Sequence, residues 1–462
     1  MSVWTRLTAE IEDFTTGVRN LPVLPHVIPS EVRIELEGRY NFKEPVPLED
    51  VTADVIRLLR AWTVHVTHPR YFGLFNPSVR QASIVADTLV ALYNPQLATW
   101  SHAPVANEIE TLTLHCFANA LGFDPETTLA NFTTGGTEAN LSAVLAALAH
   151  HYPDAEETGV MGLKNRPAIY LTGETHHSFV KIARMTGIGT GALHEIPTSQ
   201  QFTLDVEALT RRIQVDLRDG WHPLLVVGTA GTTGAGLVDP LPQIADVAGR
   251  FGIWFHADAA WGGSAVLSPR LKPVVAGIEH ADSVTWDAHK WLSVPMGAGM
   301  FFCRHPQAAK RAFAISTSYM PKEASEHTID QYAATMQWSR RAIGLKVFMA
   351  LAELGMGGYG ELIEHQAAMG DLLRDRLREA GWIIRNETPL PVVCFSHPDI
   401  QGGLLTTDCI LETIYARGRV WISDVVLGGK ERVLRACITS FRSEESDIQC
   451  LIEELEYARR SS

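Results

Sequence analysis

The chain has 462 residues with 39 basic and 52 acidic side chains, a formal charge of −13, and 46% apolar against 20% charged residues. This is globular composition, which argues against disorder, and the negative balance disfavours a nucleic-acid partner, whose affinity would come from clustered Lys and Arg. No apolar run reaches the roughly 18 residues of a membrane span. Arg6, Glu10, Glu12 and Asp13 fall where a signal peptide would need an apolar core. Six scattered cysteines with no CxxC suggest neither a disulfide framework nor a zinc site. The expectation is a soluble, cytoplasmic enzyme with no membrane or nucleic-acid partner.

In chain order, the first fifty residues carry proline-punctuated apolar pieces (Leu21 to Pro25, Pro45 to Pro47) and predict an irregular arm. A helix follows from Leu48 to about Trp62, where Val51, Val55, Leu58 and Leu59 recur at helical spacing. An arm with so little core of its own is expected to pack on a second subunit. From about residue 110 to 300, helical stretches (Leu141 to Ala149, Leu241 to Phe251) alternate with short apolar runs (Ala168 to Leu171, Leu224 to Val227, Ile253 to Phe255). That alternation predicts βαβ units and a mainly parallel sheet covered on both faces, with ligands beyond the carboxyl ends of its strands. A helical region at Arg341 to Leu354 precedes a long amphipathic helix from Tyr359 to about Ala380 and short strands at Trp382 to Arg385, Val392 to Phe395 and Val433 to Thr439. A final helix is expected from Ser443, a candidate N-cap followed by Glu444, Glu445 and Asp447. The predicted division is an N-terminal arm (1–79), a large domain (80–345) and a small C-terminal α+β domain (346–462).

The strand ends carry the chemistry. His256-Ala257-Asp258-Ala259-Ala260-Trp261 follows one predicted strand, and Asp287-Ala288-His289-Lys290-Trp291 follows another, Asp282 to Trp286. An Asp and a Lys at the carboxyl ends of two strands would face one crevice. Pyridoxal phosphate chemistry needs that pair: Lys for a Schiff base, Asp to keep the pyridine nitrogen protonated so that the ring accepts electrons. Ala260 is small enough to lie flat against a ring. Thr133 to Leu141 forms a glycine turn opening a helix, where free N–H groups and the Thr137 hydroxyl suit a phosphate. No Gly-Lys-Ser/Thr follows, so it is not a Walker loop. Thr175-His176-His177-Ser178 follows a further strand; a histidine there can stack on a ring, and two adjacent histidines make no persuasive metal site.

These segments, TTGGTEANL, THHSFVKIARMTGIG, TAGTTGAGLVDPL, HADAAWGG, DAHKWL and LRACITSFRSEESDI, resemble the group II pyridoxal-dependent decarboxylase family. That family includes the aromatic-amino-acid, glutamate, histidine and cysteine-sulfinate decarboxylases. The similarity runs in the family's order from about His68-Pro69-Arg70-Tyr71-Phe72 to the C-terminal helix. It implies an aspartate-aminotransferase-like α/β fold (fold type I), with a large, mainly parallel sheet domain and a small α+β domain, built as a homodimer with shared sites. The cofactor implied is pyridoxal 5′-phosphate (PLP). By the same resemblance Lys290 is the Schiff-base lysine, Asp258 the pyridinium partner, and Ala260 and His176 the residues on the two ring faces, with His177 a competitor. Gly136, Thr137 and His289 would bind the phosphate, and Thr233 would lie beside the ring.

The segment from about Tyr319 to Ser339 resembles the family's catalytic loop. Tyr332 is its candidate proton donor, with packing the competing account. Arg435 matches an arginine linked in some members to the substrate carboxylate; a structural salt bridge explains it equally well. For the substrate side chain the candidates are Phe75, Asn76, Trp100 and His102. Leu74 and Asn76 depart from the Tyr-Phe-Pro pattern of aromatic decarboxylases, and Arg80 reads as a polar contact or a structural ion pair. An aromatic or bulky L-amino acid is favoured, with acidic substrates open. Transamination, carbon–carbon lysis and aldehyde formation would use the same Asp, Lys and His. A non-catalytic binding protein would be expected to have lost Lys290 or Asp258.

Overall fold

The apolar runs expected between residues 110 and 300 become strands of one sheet in the computed structural model, which describes residues 2–315 and 330–461. They are β1 (Leu129–Thr133), β2 (Arg166–Leu171), β3 (Leu193–Glu195), β4 (Trp221–Thr229), β5 (Trp254–Asp258), β6 (Ser283–Asp287) and β7 (Gly299–Cys303), in the order β1-β7-β6-β5-β4-β2-β3. β3, β2, β4, β5 and β6 pair in parallel, while β7 is antiparallel to both β6 and β1. All residues of β5, β6 and β7 are buried, as expected of strands covered on both faces. The register sets Thr229 of β4 beside Asp258, and Asp258 beside Thr285 of β6, so the strands' carboxyl ends lie together.

Two helices position those ends. The helix Leu241–Phe251 stops at Gly252, whose φ of +65° is left-handed, and its N–H returns to Ala248 O before β5 begins. The helix Gly136–His151 buries residues all round, from Glu138 to Leu148. It starts directly after β1 and carries its N-terminus to the same edge of the sheet.

The long helix Gly344–Glu379 is broken at Gly355, where φ +66° and ψ 170° are not helical, so the two helical stretches read there are real and nearly continuous. Its second half packs with the final helix, Glu445–Ser461, on an antiparallel sheet of β8 (Ile383–Ile384), β9 (Val392–Ser396), β10 (Ser423–Leu427) and β11 (Glu431–Cys437), ordered β10-β11-β9-β8. The architecture is therefore the expected α/β fold with a second, smaller α+β unit. Among the described residues no helix is long and apolar enough to cross a membrane.

Four local expectations are corrected. The first fifty residues are largely helical, at Val3–Gly17 and Pro29–Arg39, with Ser2 Oγ accepting the Thr5 N–H and Pro29 starting the second helix. The prolines there punctuate helix starts rather than prevent helices. β5 begins at Trp254 and runs on to Asp258, so the aspartate ends the strand instead of following it. Ser443 does not cap the last helix: its hydroxyl donates to Pro69 O, and Asp447 Oδ2 accepts the Glu444 N–H instead. β10 is absent from the sequence-based expectation, because this edge strand is only partly buried and lacks an apolar run.

Candidate active site

Beyond the carboxyl ends of the parallel strands lies a cavity of about 320 Å³. Asp258 closes its floor as the last residue of β5. Its Oδ2 accepts Asn140 Nδ2 at 2.9 Å, and its Oδ1 accepts the Ala260 backbone N–H at 3.2 Å. Lys290 enters from the turn after β6, with Nζ 3.0 Å from Asp287 Oδ2. Asp287 is 1% exposed, and its other oxygen has no hydrogen-bond partner among the described residues. The lysine amine is thus held at the cavity by a buried counter-charge.

The glycine turn is pinned by Glu138, which accepts the Thr134 N–H at 2.8 Å, the Thr134 hydroxyl at 2.6 Å and Gln337 Nε2 at 2.9 Å. At Gly136 an added Cβ would stand 2.8 Å from Asp287 Oδ2 and 3.5 Å from the Ala260 methyl, so a side chain there would close the cavity. The helix that starts at Gly136 turns unpaired N–H groups toward this space, beside the Thr137 hydroxyl. His289 is buried, and its Nδ1 accepts the Ala298 N–H at 3.2 Å. Burial pushes its pKa below the ordinary imidazole value, partly opposed by Asp287, so the ring is neutral with its proton on Nε2. That N–H lies 3.8 Å from Asp287 Oδ2 in the cavity wall.

His176 reaches the cavity from the turn after β2. Its Nδ1 accepts the Ser178 N–H at 3.2 Å, and lost solvation lowers its pKa, with Asp258 acting in the opposite sense. Of the two adjacent histidines, only His176 lines this cavity; His177 faces a neighbouring one of about 540 Å³. Thr233 borders both. Gly136, Thr137, His176 and Thr233 therefore meet Asp258, Ala260, His289 and Lys290 around one space.

The other candidates lie elsewhere. Phe75 is buried, stacked on Trp261 at 4.7 Å between centroids, with Lys290 Nζ 5.9 Å and the Arg435 guanidinium 5.1 Å from its ring. Asn76 donates to Met296 Sδ at 3.2 Å, and Met296 is a cavity residue. Arg435 is 2% exposed and lines the larger cavity. Trp100 and His102 border neither cavity: the Trp100 indole donates to Glu108 at 2.7 Å, and His102 is exposed. Arg80 pairs with Glu353 at 2.8 Å, the structural role. The Tyr332 ring packs tilted against Trp338, 5.0 Å between centroids, and borders neither cavity, so its placement lends no support to proton donation within this chain. Residues 319–329 of the loop segment lie outside the described residues.

Sequence reasoning missed Asp287, Glu138, Asn140 and His256. Asp287 stands in the DAHK stretch and could have been found there. The cavity's donor set fits PLP: N–H and O–H donors at a helix start for a phosphate, a primary amine for an aldehyde, and a carboxylate for a ring nitrogen.

Comparison with known proteins agrees. The family model for the pyridoxal-dependent decarboxylase conserved domain matches residues 31–397. Tryptophan decarboxylase 1 of Oryza sativa subsp. japonica is 28% identical over 95% of this chain and 89% of its own. The acidic amino acid decarboxylase of Bos taurus is 28% identical over 87% of this chain and 79% of its own. The crystal structure of Oryza sativa TDC with PLP and tryptamine superposes with a TM-score of 0.91 at 27% identity, covering 99% of this chain and 97% of that one. With the family model spanning most of its length and the lysine, carboxylate and glycine turn gathered at one cavity, this chain belongs to the pyridoxal-dependent decarboxylase family and is a PLP-dependent amino acid decarboxylase.

Proposed function

We propose that the enzyme converts an aromatic or other bulky L-amino acid to its amine and carbon dioxide. The observation that carries the side-chain preference is the charge of the larger cavity. It adjoins the smaller one through His176 and Thr233, and Glu174 and Glu195 line it beside Leu74, Ile196 and Val425, while Asp424, also on its wall, is paired with Arg432. A second substrate carboxylate would meet these acids at close range, whereas an apolar side chain has Leu74, Ile196 and Val425 to cover it.

Arg435 supports a single carboxylate. Its Nε donates to Gly234 O at 3.0 Å and one Nη1 bond reaches Gly73 O at 2.9 Å, while Nη2 is buried with no partner among the described residues. In this reading that N–H group takes the α-carboxylate and fixes its direction. The Phe75 ring lies 5.1 Å from that guanidinium, and an apolar surface there would favour loss of charge as carbon dioxide.

Gly136, Thr137 and His289 would hold the cofactor phosphate, Ala260 and His176 would flank the ring, and Asp258 would partner its nitrogen, all six lining one cavity. Bound PLP supplies the sink for the electron pair left at Cα when the carboxylate departs. Lys290 would provide the amine that anchors the cofactor. Its pairing with Asp287 gives it a place to rest when displaced.

Incubating the holoenzyme with each common L-amino acid and cysteine sulfinate, with product mass spectrometry, tests this. Amines from tryptophan, tyrosine or phenylalanine are expected, and little from glutamate, aspartate or cysteine sulfinate. Amines from the acidic substrates alone would overturn the preference; keto acid or aldehyde in place of amine would overturn the reaction.

The enzyme works as a homodimer in this reading, with residues 1–79 packed on the second copy, residues 80–345 binding the cofactor and 346–462 forming the small domain. In its support, the helices Val3–Gly17, Pro29–Arg39 and Leu48–Trp62 bury no residue within the chain, and Trp4, Leu48 and Leu59 are 70%, 63% and 57% exposed. Light scattering at micromolar concentration is expected to give twice the chain mass, and a monomer would refute it. Six unpaired cysteines support a reducing, cytoplasmic location.

A further inference from the structure

Around Asp258 lies a set of buried polar groups that the mechanism above does not use, of which Asn140 also borders the cavity. Asn140 is 1% exposed, and His256, Ser283 and Thr285 are fully buried. The alternation of β5 explains their position: Trp254, His256 and Asp258 fall on one face of the strand, as Ser283, Thr285 and Asp287 do on β6. The helix Gly136–His151 presents Asn140 to the same groups.

The hydrogen bonds among them have one consistent direction. An indole N–H can only donate, and Trp254 Nε1 gives its proton to Ser283 Oγ at 2.8 Å. The Ser283 hydroxyl is then the donor to His256 Nδ1 at 2.9 Å. Burial pushes the His256 pKa down to about 4, so the ring is neutral and its single proton sits on Nε2. Nε2 donates to Asn140 Oδ1 at 3.0 Å, which also accepts the Thr285 hydroxyl at 2.7 Å. The Asn140 amide nitrogen donates to Ser178 Oγ at 3.1 Å and to Asp258 Oδ2 at 2.9 Å. An ionised carboxylate can only accept, so both ends of the chain set its polarity, and the opposite His256 tautomer would set two acceptors, Nε2 and Asn140 Oδ1, against each other.

From this geometry we infer that Asn140 and His256 are positioning residues for Asp258, linked in a directed relay that orients its carboxylate and supports its charge toward the cofactor's ring nitrogen. The inference rests on the reading of Asp258 as the partner of that nitrogen. A buried His and Asn kept only for packing would show no such coupling to the cofactor.

The test uses the full-length protein, with three readouts: PLP affinity of the apoenzyme by fluorescence titration, the nitrogen-15 shift of ring-labelled PLP in the holoenzyme at pH 7, and the thermal midpoint of both forms. Asn140→Leu and His256→Leu are expected to weaken PLP binding about tenfold, the scale of one lost hydrogen bond to a charged group, and to move the ring nitrogen toward the neutral pyridine value. His256→Gln can place an amide N–H where Nε2 stood, and it is expected to restore the shift even where the midpoint stays lowered. Ser283→Ala, a smaller change that spares the fold if the leucine variants do not, is expected to move the shift part of the way. A ring-nitrogen shift like that of the parent in Asn140→Leu and Ser283→Ala would overturn the relay, as would identical shifts in His256→Gln and His256→Leu. A shift unmoved by Asp258→Asn as well would overturn the underlying reading of Asp258, and the two failures are thereby told apart.

Discussion

Lys290→Ala is expected to reduce amine formation at least about 10³-fold, more than the removal of any other side chain in the cavity, because it takes away both the anchoring amine and a proton carrier. The variant also leaves Asp287 without its cation at 3.0 Å, although that carboxylate is 1% exposed and one of its oxygens already lacks a partner. A fall in thermal midpoint is therefore expected alongside the lost activity. Lys290→Arg separates the two effects. A guanidinium can keep the pair with Asp287 but cannot form the bond a primary amine forms, so the midpoint is expected to recover while activity does not. Parallel measurement of amine formation and thermal midpoint in the two variants checks this; recovery of activity in the arginine variant would contradict the assignment.

Asp258→Asn is expected to cost about 10²- to 10⁴-fold in kcat, the scale of unpairing a buried charge, converted at 1.4 kcal/mol per tenfold. Both oxygens of Asp258 accept N–H donors, from Asn140 and from the Ala260 backbone. An amide has only one acceptor atom, so whichever way the substituted side chain turns, one donor faces an NH₂ group. A destabilisation of about 1–3 kcal/mol should accompany the kinetic loss. Steady-state rates and denaturant midpoints measure the two costs; a variant with parental kcat would show that the carboxylate does not support the cofactor's electron sink.

What can be read from the sequence follows what is local. β4, β5 and β6 are covered on both faces and so announce themselves as apolar runs, and Asp258, Lys290 and the turn at Gly136 stand at strand ends where a ligand rule applies. The relay is different. Asn140 lies 116 residues from His256 and 145 from Thr285, and only the packing of a helix on two strands joins them. Its local traces are polar residues on buried strand faces, His256 between Trp254 and Asp258 on β5 and Ser283 and Thr285 on β6. Asp287 stands in the DAHK stretch beside Lys290, and only its burial, set by packing, makes it the counter-charge of that amine. Trp100 and His102 read as pocket residues from their chemistry alone, and within this chain the Trp100 indole is engaged by Glu108. The N-terminal helices are hidden by prolines, one of which, Pro29, starts a helix.

This cavity removes the α-carboxylate in a Lys290-dependent reaction. The most direct measurement supplies the holoenzyme with the amino acid that turns over, labelled with carbon-13 at the carboxyl carbon, and quantifies labelled carbon dioxide against amine. Equal amounts of the two are expected, and neither from Lys290→Ala. Label retained in a keto acid, or labelled carbon dioxide accompanied by an aldehyde rather than an amine, would contradict it.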